Sequence, residues 1–586
     1  MSKLYAAGLT LALALSGEAF SQQGVTTRMV TATGWPAPGM GAGIVFEKFG
    51  TPSTNEFGRV ALRGWLDGPG TTVETEQGIW HEPTRGNLVL NIVAGQQAAG
   101  APAGVVYLDF NRPAFNRLGT LAFNGRVTGI GVDATNDRCI WVIREGSAPE
   151  LVARTGDVPA GFPPDIQFDE FGTPSGYVTI VPFLAENDTV LYKGWFRGAG
   201  VTALNETSFW HYTPQGQHEM VLRLGGQAPG FPQGIVANFL GFNGMNRLGD
   251  SIANVIVGDP ITGSQDTEVI YASQGAGPLV PTVIEWESPA GEPQSVYQYL
   301  FVPDMNSSGL ITFHTYLTPA DGSGGFAQSS WCQEPGNGFV EVCRQGVMAP
   351  GTEPGVLYGS TFTPLICGDG SVYFRTELTG AGVTNANNRA YWLKRPGGIP
   401  VIIAREGDQV PALDPGITYQ TLDASRHAVN GAGQFALVAQ ITGPSVTSAN
   451  DSVLLMSDTS GSLRVAMREG DLLDASSLPG MPMMKAVSQF YFQENPAEIG
   501  YQSGFAEMGE LFVRVVFTDA TEAIVALRLV PACPADTNGD GMLSPADFSA
   551  WVAAFNAQAP DCDQNGDSSC TPADFSAWVA NYNAGC

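Results

Sequence analysis

Short apolar runs punctuated by Gly, Pro, Asn and Asp recur along most of the chain. In the first clear unit they read GIVFEKF, RVALRGWL, GIWHEP and NLVLNIV. Runs of this kind, bounded by turn-forming residues, predict strands rather than helices. Four of them make one antiparallel unit, and the unit repeats.

Two landmarks set the repeat. The first is a boundary: Arg154-Thr155-Gly156-Asp157, Arg223-Leu224-Gly225-Gly226, Arg344-Gln345-Gly346, Arg405-Glu406-Gly407-Asp408 and Arg468-Glu469-Gly470-Asp471, with weaker versions at Gly34 and Gly95. The second is a turn inside each unit: Asn55-x-x-Gly58, Asn116-x-x-Gly119, Asn246-x-x-Gly249, Asn306-x-x-Gly309 and Asn430-x-x-Gly433. Asn first and Gly fourth suit a type I β-turn, with the Asn side chain bonded to the turn backbone. Three units carry Asp188, Gly370 or Gly509 at the fourth position without the Asn. Unit starts near 34, 95, 156, 225, 286, 346, 407 and 470 give eight units ending near Pro531; the start at 286 lacks the Arg-Gly boundary. A four-stranded unit cannot bury both faces alone, but stacked neighbours can. The predicted fold class is all-β: a β-propeller-like ring of about eight four-stranded repeats over residues 22–531. Two smaller propellers or a chain of β-sandwiches are the competing architectures. The repeats resemble a bacterial family of tandem Asn-x-x-Gly-x-x-x-Phe units over most of 34–531, a resemblance that implies no reaction.

Recurrence argues for structure. One active site does not need the same Arg in several blades, whereas a blade junction does. Trp80, Trp141, Trp210, Trp331 and Trp392 recur in the third strand of their units and are expected to pack between blades rather than offer a sugar platform. The five histidines are His81, His211, His218, His314 and His427, and the first two follow a repeated Trp. No H-E-x-x-H, G-x-S-x-G, P-loop or C-x-x-C occurs. No catalytic or cofactor-binding residue is assigned in the repeats.

Composition narrows the partners. Lys+Arg number 28 against 56 Asp+Glu, a net charge of −28, which disfavours nucleic acid. At the start, Lys3 precedes an apolar run from Leu4 to Leu15, and Ala19-Phe20-Ser21 offers small residues before a cut; residues 1–21 are read as a secretory signal peptide. No other run is long enough to span a bilayer. The expected location is therefore secreted, extracellular or attached to a cell surface, where cysteines can pair.

Residues 533–586 have a different character. DTNGDGMLSPADFSAWV from Asp536 and DQNGDSSCTPADFSAWV from Asp563 share the string PADFSAWV. Loop one places Asp536, Asn538, Asp540, Met542 and Asp547 at positions 1, 3, 5, 7 and 12; loop two places Asp563, Asn565, Asp567, Ser569 and Asp574 there. Alternating side-chain oxygens, a carbonyl at 7 and a final carboxylate are what Ca²⁺ coordination requires. Seven Asp with no Lys or Arg in this stretch repel one another without metal, so two calcium ions should couple to its folding. Each loop feeds a helix whose apolar positions fall on one face: Phe548, Trp551, Val552, Phe555, then Phe575, Trp578, Val579, Tyr582. The predicted module is two loop–helix units packed face to face.

This stretch resembles a dockerin, the duplicated calcium-loop module of cellulosome and cell-surface assemblies, in a variant ending Gly585-Cys586. The resemblance implies a small α-helical, EF-hand-type domain that docks on a cohesin-like or other surface receptor. Ser568 replaces the turn glycine in loop two. Pro545-Ala546 and Pro572-Ala573 stand where dockerins often carry polar recognition residues, which puts a familiar cohesin in doubt. Among eight cysteines, Cys533, Cys562, Cys570 and Cys586 allow three connectivities. Cys533–Cys562 with Cys570–Cys586 is the favoured one. Cys332 and Cys343 flank a hairpin turn and are expected to face each other, while Cys139 and Cys367 are not expected to pair.

Together these readings predict a secreted, non-enzymatic repeat protein anchored to a cell surface or extracellular complex by its calcium-loaded tail. The ring would be a binding or structural module, with polysaccharide a candidate ligand. The alternative is an extracellular carbohydrate-active enzyme, a hydrolase or lyase, carrying a dockerin tail.

Overall fold

The computed structural model describes residues 24–584 except 172–181, 261–265, 275–276, 302, 478–480, 494–503, 530–532, 539–542, 558–561, 563 and 566–569. The strands form eight antiparallel sheets of four or five strands, the blades of a β-propeller. In blade one the order runs from Val45–Phe49 through Val60–Asp67 and Gln77–Thr84 to Asn87–Val93, with the two-residue strand Ser53–Thr54 beside Val60–Asp67. The four runs read from the sequence are these four strands.

The ring closes through its first and last strands. Val25–Ala32 pairs antiparallel with Glu522–Leu529, Val25 opposite Leu529 and Ala32 opposite Ala523. The last blade thus receives its outer strand from residues that precede the first repeat. Because neighbouring blades share an interface, closure removes the two open faces that a linear stack would expose to water.

Each unit start is a specific backbone event. Gly34, Gly95, Gly156, Gly225, Gly346, Gly407 and Gly470 all have positive φ, between 73° and 89°. Their amides donate to the next inner strand, as in Gly34 N to Phe46 O and Gly346 N to Tyr358 O. The eighth start, where no Arg-Gly boundary was visible, makes the same turn: Trp286 has φ 71° and its amide donates to Tyr297 O. The boundary arginines are structural. Arg154, Arg223, Arg405 and Arg468 donate through Nε to the carbonyls of Asn136, Asn205, Asn387 and Asn450, at 2.7, 3.3, 3.0 and 2.8 Å. Each thereby ties the end of its blade to the loop between the second and third strands. Arg344 departs, pairing instead with Glu341 and Glu292.

Apolar side chains from both faces of each blade fill the inter-blade spaces. Between blades one and two lie Ile79, Tyr107, Phe123 and Trp141; between seven and eight lie Val438, Leu454, Val487 and Val513. All five repeated tryptophans are at most 3% exposed, which fits packing and excludes a sugar platform. Trp80 and Trp141 donate from Nε1 to the carbonyls of Pro38 and Ala99, so their polar atoms are satisfied where they are buried.

Two α-helices follow the ring, α1 (Pro545–Ala557) and α2 (Pro572–Ala584). Among the described residues no helix is long and apolar enough to cross a membrane.

Candidate functional site

Three places in the molecule gather chemistry: the C-terminal loops, the axis of the ring, and a cleft beside blade two.

In the C-terminal module Pro545 and Pro572 open the helices, where a missing amide costs nothing. The position-12 carboxylates, Asp547 and Asp574, are fully buried. Each turns back into its own loop. Asp547 accepts from Ser544 N at 2.7 Å and Asn538 N at 3.3 Å. Asp574 accepts from Thr571 N at 2.7 Å, Gln564 N at 3.0 Å and Asn565 N at 3.3 Å. Positions 3 and 12 are thus brought together in both loops, and the amide of Thr571 leads the interactions that hold the Asp574 carboxyl below its ordinary range. The loop ligands predicted at Asp540, Met542, Asp563, Asp567 and Ser569 lie outside the described residues, as do residues 1–21, read from the sequence as a signal peptide.

One expectation about this module needs correction. Its cysteines pair as Cys562–Cys570, with Cα atoms 5.6 Å apart, so neither favoured bridge forms. An eight-residue separation closes inside loop two, which spacing alone does not distinguish from longer links. Cys533 is also disulfide-bonded. The apolar helix faces do meet, with ring centroids of Phe548 and Trp578 5.3 Å apart and of Trp551 and Phe575 5.5 Å apart. Trp551 and Trp578 are buried around Ala535, but Phe548, Val552, Phe575 and Val579 stand outward at 36–44% exposure. Phe548 and Phe575 are neighbours, ring centroids 5.9 Å apart, so the outward set is one patch built from equivalent residues of the two units.

The ring's free cysteines are Cys139, Cys332, Cys343 and Cys367, all buried. Cys332 and Cys343 do not face each other: a bulge offsets the hairpin, setting Cys343 opposite Ser330 and Cys332 opposite Val340. Burial pushes the Cys139 thiol up to about 12 and the Cys332 thiol up to about 11. Neither is a nucleophile at neutral pH. Two of the histidines pack between blades. His211 meets Ser251 Oγ and His314 meets Thr361 Oγ1, and burial lowers both to about 4.

The Asn-x-x-Gly turns do more than turn. Asn306 Oδ1 accepts from the amides of Ser308 and Leu310, both at 2.9 Å, which is the predicted local role. Its Nδ2 reaches the next blade and donates to Cys367 O at 2.8 Å. Asn55, Asn116, Asn246 and Asn430 make the same step to Asn116, Ala185, Asn306 and Ala506. The turns therefore form a belt around the axis.

The residues after the belt positions, from blade one onward, are Glu56, Arg117, Glu186, Arg247, Ser307, Gly368, Gly431 and Glu507, and the charged ones among them meet. Arg247 of blade four crosses the axis. It bonds Glu507 of blade eight at 2.8 Å, pairs with Glu56 of blade one, and lies 3.8 Å from Glu186. Arg117 holds Glu186 from the other side, through its amide at 2.7 Å and its Nε at 3.6 Å. Glu186 is 6% exposed, and burial raises its carboxyl to about 7. Guanidinium groups lie between the carboxylates, so the cluster links blades one, three, four and eight across the ring. The sequence held the signal, alternating Glu and Arg at one repeat position, but only the closed ring shows that these residues meet.

The cleft, of about 300 Å³, lies beside blade two, with Arg63 of blade one on one wall and Phe171 of blade three at its far edge. Arg126 and Arg138 sit directly opposite each other on adjacent strands of blade two. Asp109 binds Arg126 through Nε at 2.8 Å, and Glu170 of blade three pairs with Arg138. Arg63 donates to Phe110 O at 2.6 Å and stacks over Trp65 at 4.2 Å, and its Nε is buried without a partner. Burial lowers the Arg63 guanidinium, opposed by Asp109 and reinforced by Arg514. None of these residues was singled out from the sequence.

Known structures with a similar course include a protein from Lactobacillus plantarum, at 11% identity and TM-score 0.28, covering 72% of this chain and 96% of that one. The polysaccharide lyase Uly1 is 7% identical at TM-score 0.33, covering 74% and 94%. An α-L-arabinanase of Penicillium chrysogenum is 12% identical at TM-score 0.25, covering 62% and 97%. Likeness of this degree does not carry an activity across. No curated protein matches the chain. The profile of a family of unknown function (DUF7453) matches residues 14–170 and 262–534, most of the ring, and the chain belongs to that family.

Proposed function

We propose that this is a secreted, non-enzymatic propeller held on a cell-surface or extracellular assembly by a calcium-loaded, dockerin-like tail. The observation that carries the reading is the pair of fully buried carboxylates, Asp547 and Asp574, each folded back onto position 3 of its own loop. Backbone amides position both carboxylates, and their place at the end of a loop in a stretch of seven Asp and no basic residue supports a shared cation. The donor set fits Ca²⁺. Asp536, Asn538, Asp540 and Asp547 would hold one ion with the carbonyl of Met542; Asp563, Asn565, Asp567 and Asp574 would hold the other with that of Ser569. The ions would neutralise the loops and set the two helices. The outward patch of Phe548, Val552, Phe575 and Val579 is then the face offered to a receptor, since apolar side chains exposed at matched positions are otherwise a liability.

In the ring, the buried tryptophans, neutral histidines and raised thiols leave the repeated residues with packing duties, which supports a binding or structural role. Titration calorimetry of the full chain with Ca²⁺ tests the tail. Two ions per chain are expected, falling to one in Asp547→Ala and in Asp574→Ala. A stoichiometry near zero overturns the reading. Release of reducing ends or unsaturated products from a polysaccharide would favour the enzymatic alternative.

A further inference from the structure

The eight blades provide an internal control for the cleft. The cross-strand pair equivalent to Arg126 and Arg138 is Trp65–Gln77 in blade one, Trp195–Thr207 in three, Ile256–Glu268 in four and Tyr316–Gln328 in five. It is Glu377–Arg389 in six, Gln440–Ser452 in seven and Val516–Glu522 in eight. Blade two alone sets like charges opposite each other, and it meets them with Asp109 on Arg126 and with Glu170 and Asp137 on Arg138. The fold does not need it, since seven blades manage otherwise. Such a departure is expected where a site is built.

The guanidinium groups are placed to receive a ligand. Asp109 occupies Nε and Nη2 of Arg126, and Glu170 occupies Nη1 of Arg138. Each guanidinium carries five N–H donors, so both retain donors after these contacts. Both side chains are about half exposed, at 50% and 48%. Arg63 adds a third, desolvated cation across the cleft. Gln77 uses its Oε1 on Phe110 N and keeps its amide group, and Asn111 also lines the wall.

We propose that this cleft binds a mono- or disaccharide carrying a single carboxylate, a uronate unit, with the carboxylate between Arg126 and Arg138 and the hydroxyls on Gln77 and Asn111. The size fits: about 300 Å³ is at the small end of ligand pockets. Planar guanidinium forks suit a planar carboxylate. A net charge of −28 on the chain opposes a long polyanion; Asp109, Glu170 and Asp137 match the three arginines in charge, so a singly charged ligand would be held by the remaining guanidinium donors rather than by a cationic excess. The inference rests on reading the ring as a binding module and on nothing about the tail.

The test is titration calorimetry of the full chain in Ca²⁺ with a galacturonate disaccharide, its methyl ester, the neutral galactose disaccharide and a monosulfated disaccharide. The carboxylate form is expected to bind at least tenfold more tightly than the ester and the neutral sugar. Arg126→Gln and Arg138→Gln are each expected to weaken it at least tenfold with unchanged melting. Equal binding of acid and ester, binding of the sulfated sugar alone, or no binding of the acid overturns the proposal. The comparison of acid with ester uses the unaltered protein, so a variant that fails to fold does not blunt it. Failure here with two calcium ions still bound leaves the tail reading intact. Cleavage of the disaccharide would overturn the non-enzymatic reading while keeping the site.

Discussion

Arg154, Arg223, Arg405 and Arg468 perform one task in four blades, each tying its blade end to an Asn carbonyl. In the C-terminal module the string PADFSAWV is used twice, and each copy brings a buried carboxylate back to its own loop. Repetition in the ring is thus spent on packing, and chemistry sits where the repeat is broken, at Arg126, Arg138 and the axial Glu and Arg residues. In the tail the repeated residues are themselves the proposed ligands. The lesson is that a repeated polar residue means function only if one unit suffices to make a site.

The strongest way to break this contrast is at ring closure. Deleting residues 24–32 removes the strand that pairs with Glu522–Leu529 and uncovers the apolar face of blade eight. The variant is expected to lose cooperative unfolding in urea, followed by tryptophan fluorescence, and to aggregate. Calcium removal should instead act on the tail alone. At free calcium a hundredfold above Kd, each site contributes about 2.7 kcal/mol. Chelation is expected to lower protection from proteolysis around Trp551 and Trp578 and leave the ring's melting unchanged; a ring that melts with the tail would dissolve the distinction between the regions.

Within the ring, Asn306→Ala leaves the amides of Ser308 and Leu310 without their partner and removes one of two hydrogen bonds on the carbonyl of Cys367, which keeps that from Gly370 N. A loss of about 1–3 kcal/mol is expected in urea unfolding. The axial cluster gives a pH test. Burial raises the Glu186 carboxyl to about 7, above its ordinary value, so the stability it contributes is present below its unfolded pKa and is lost as pH rises through about 7. Glu186→Gln is expected to flatten that decline between about pH 5 and 8, by of order 1 kcal/mol after screening. The smallest effect belongs to Trp286, which holds φ 71° at 53% exposure. Trp286→Gly is expected to leave stability unchanged or raise it by about 1 kcal/mol, read as melting temperature. A marked loss would mean that the indole, not the turn, sets that unit start.

The sequence by itself determined the strand runs, the turns and the repeat frame, because each depends on a few adjacent residues. Gly at a positive-φ start and Asn before a tight turn are local backbone chemistry, legible even at 286, where the spacing survived the loss of the motif. Tertiary structure alone decided ring closure, the inter-blade reach of the turn asparagines, the Cys562–Cys570 bridge and which apolar residues of the helices stay exposed. It also brought Glu56, Glu186, Arg247 and Glu507 together from four blades, and Arg63 to Arg126 and Arg138. Those contacts depend on how each blade is rotated against its neighbours. That rotation is set by side-chain packing summed over the whole ring, a quantity that no single stretch of residues contains.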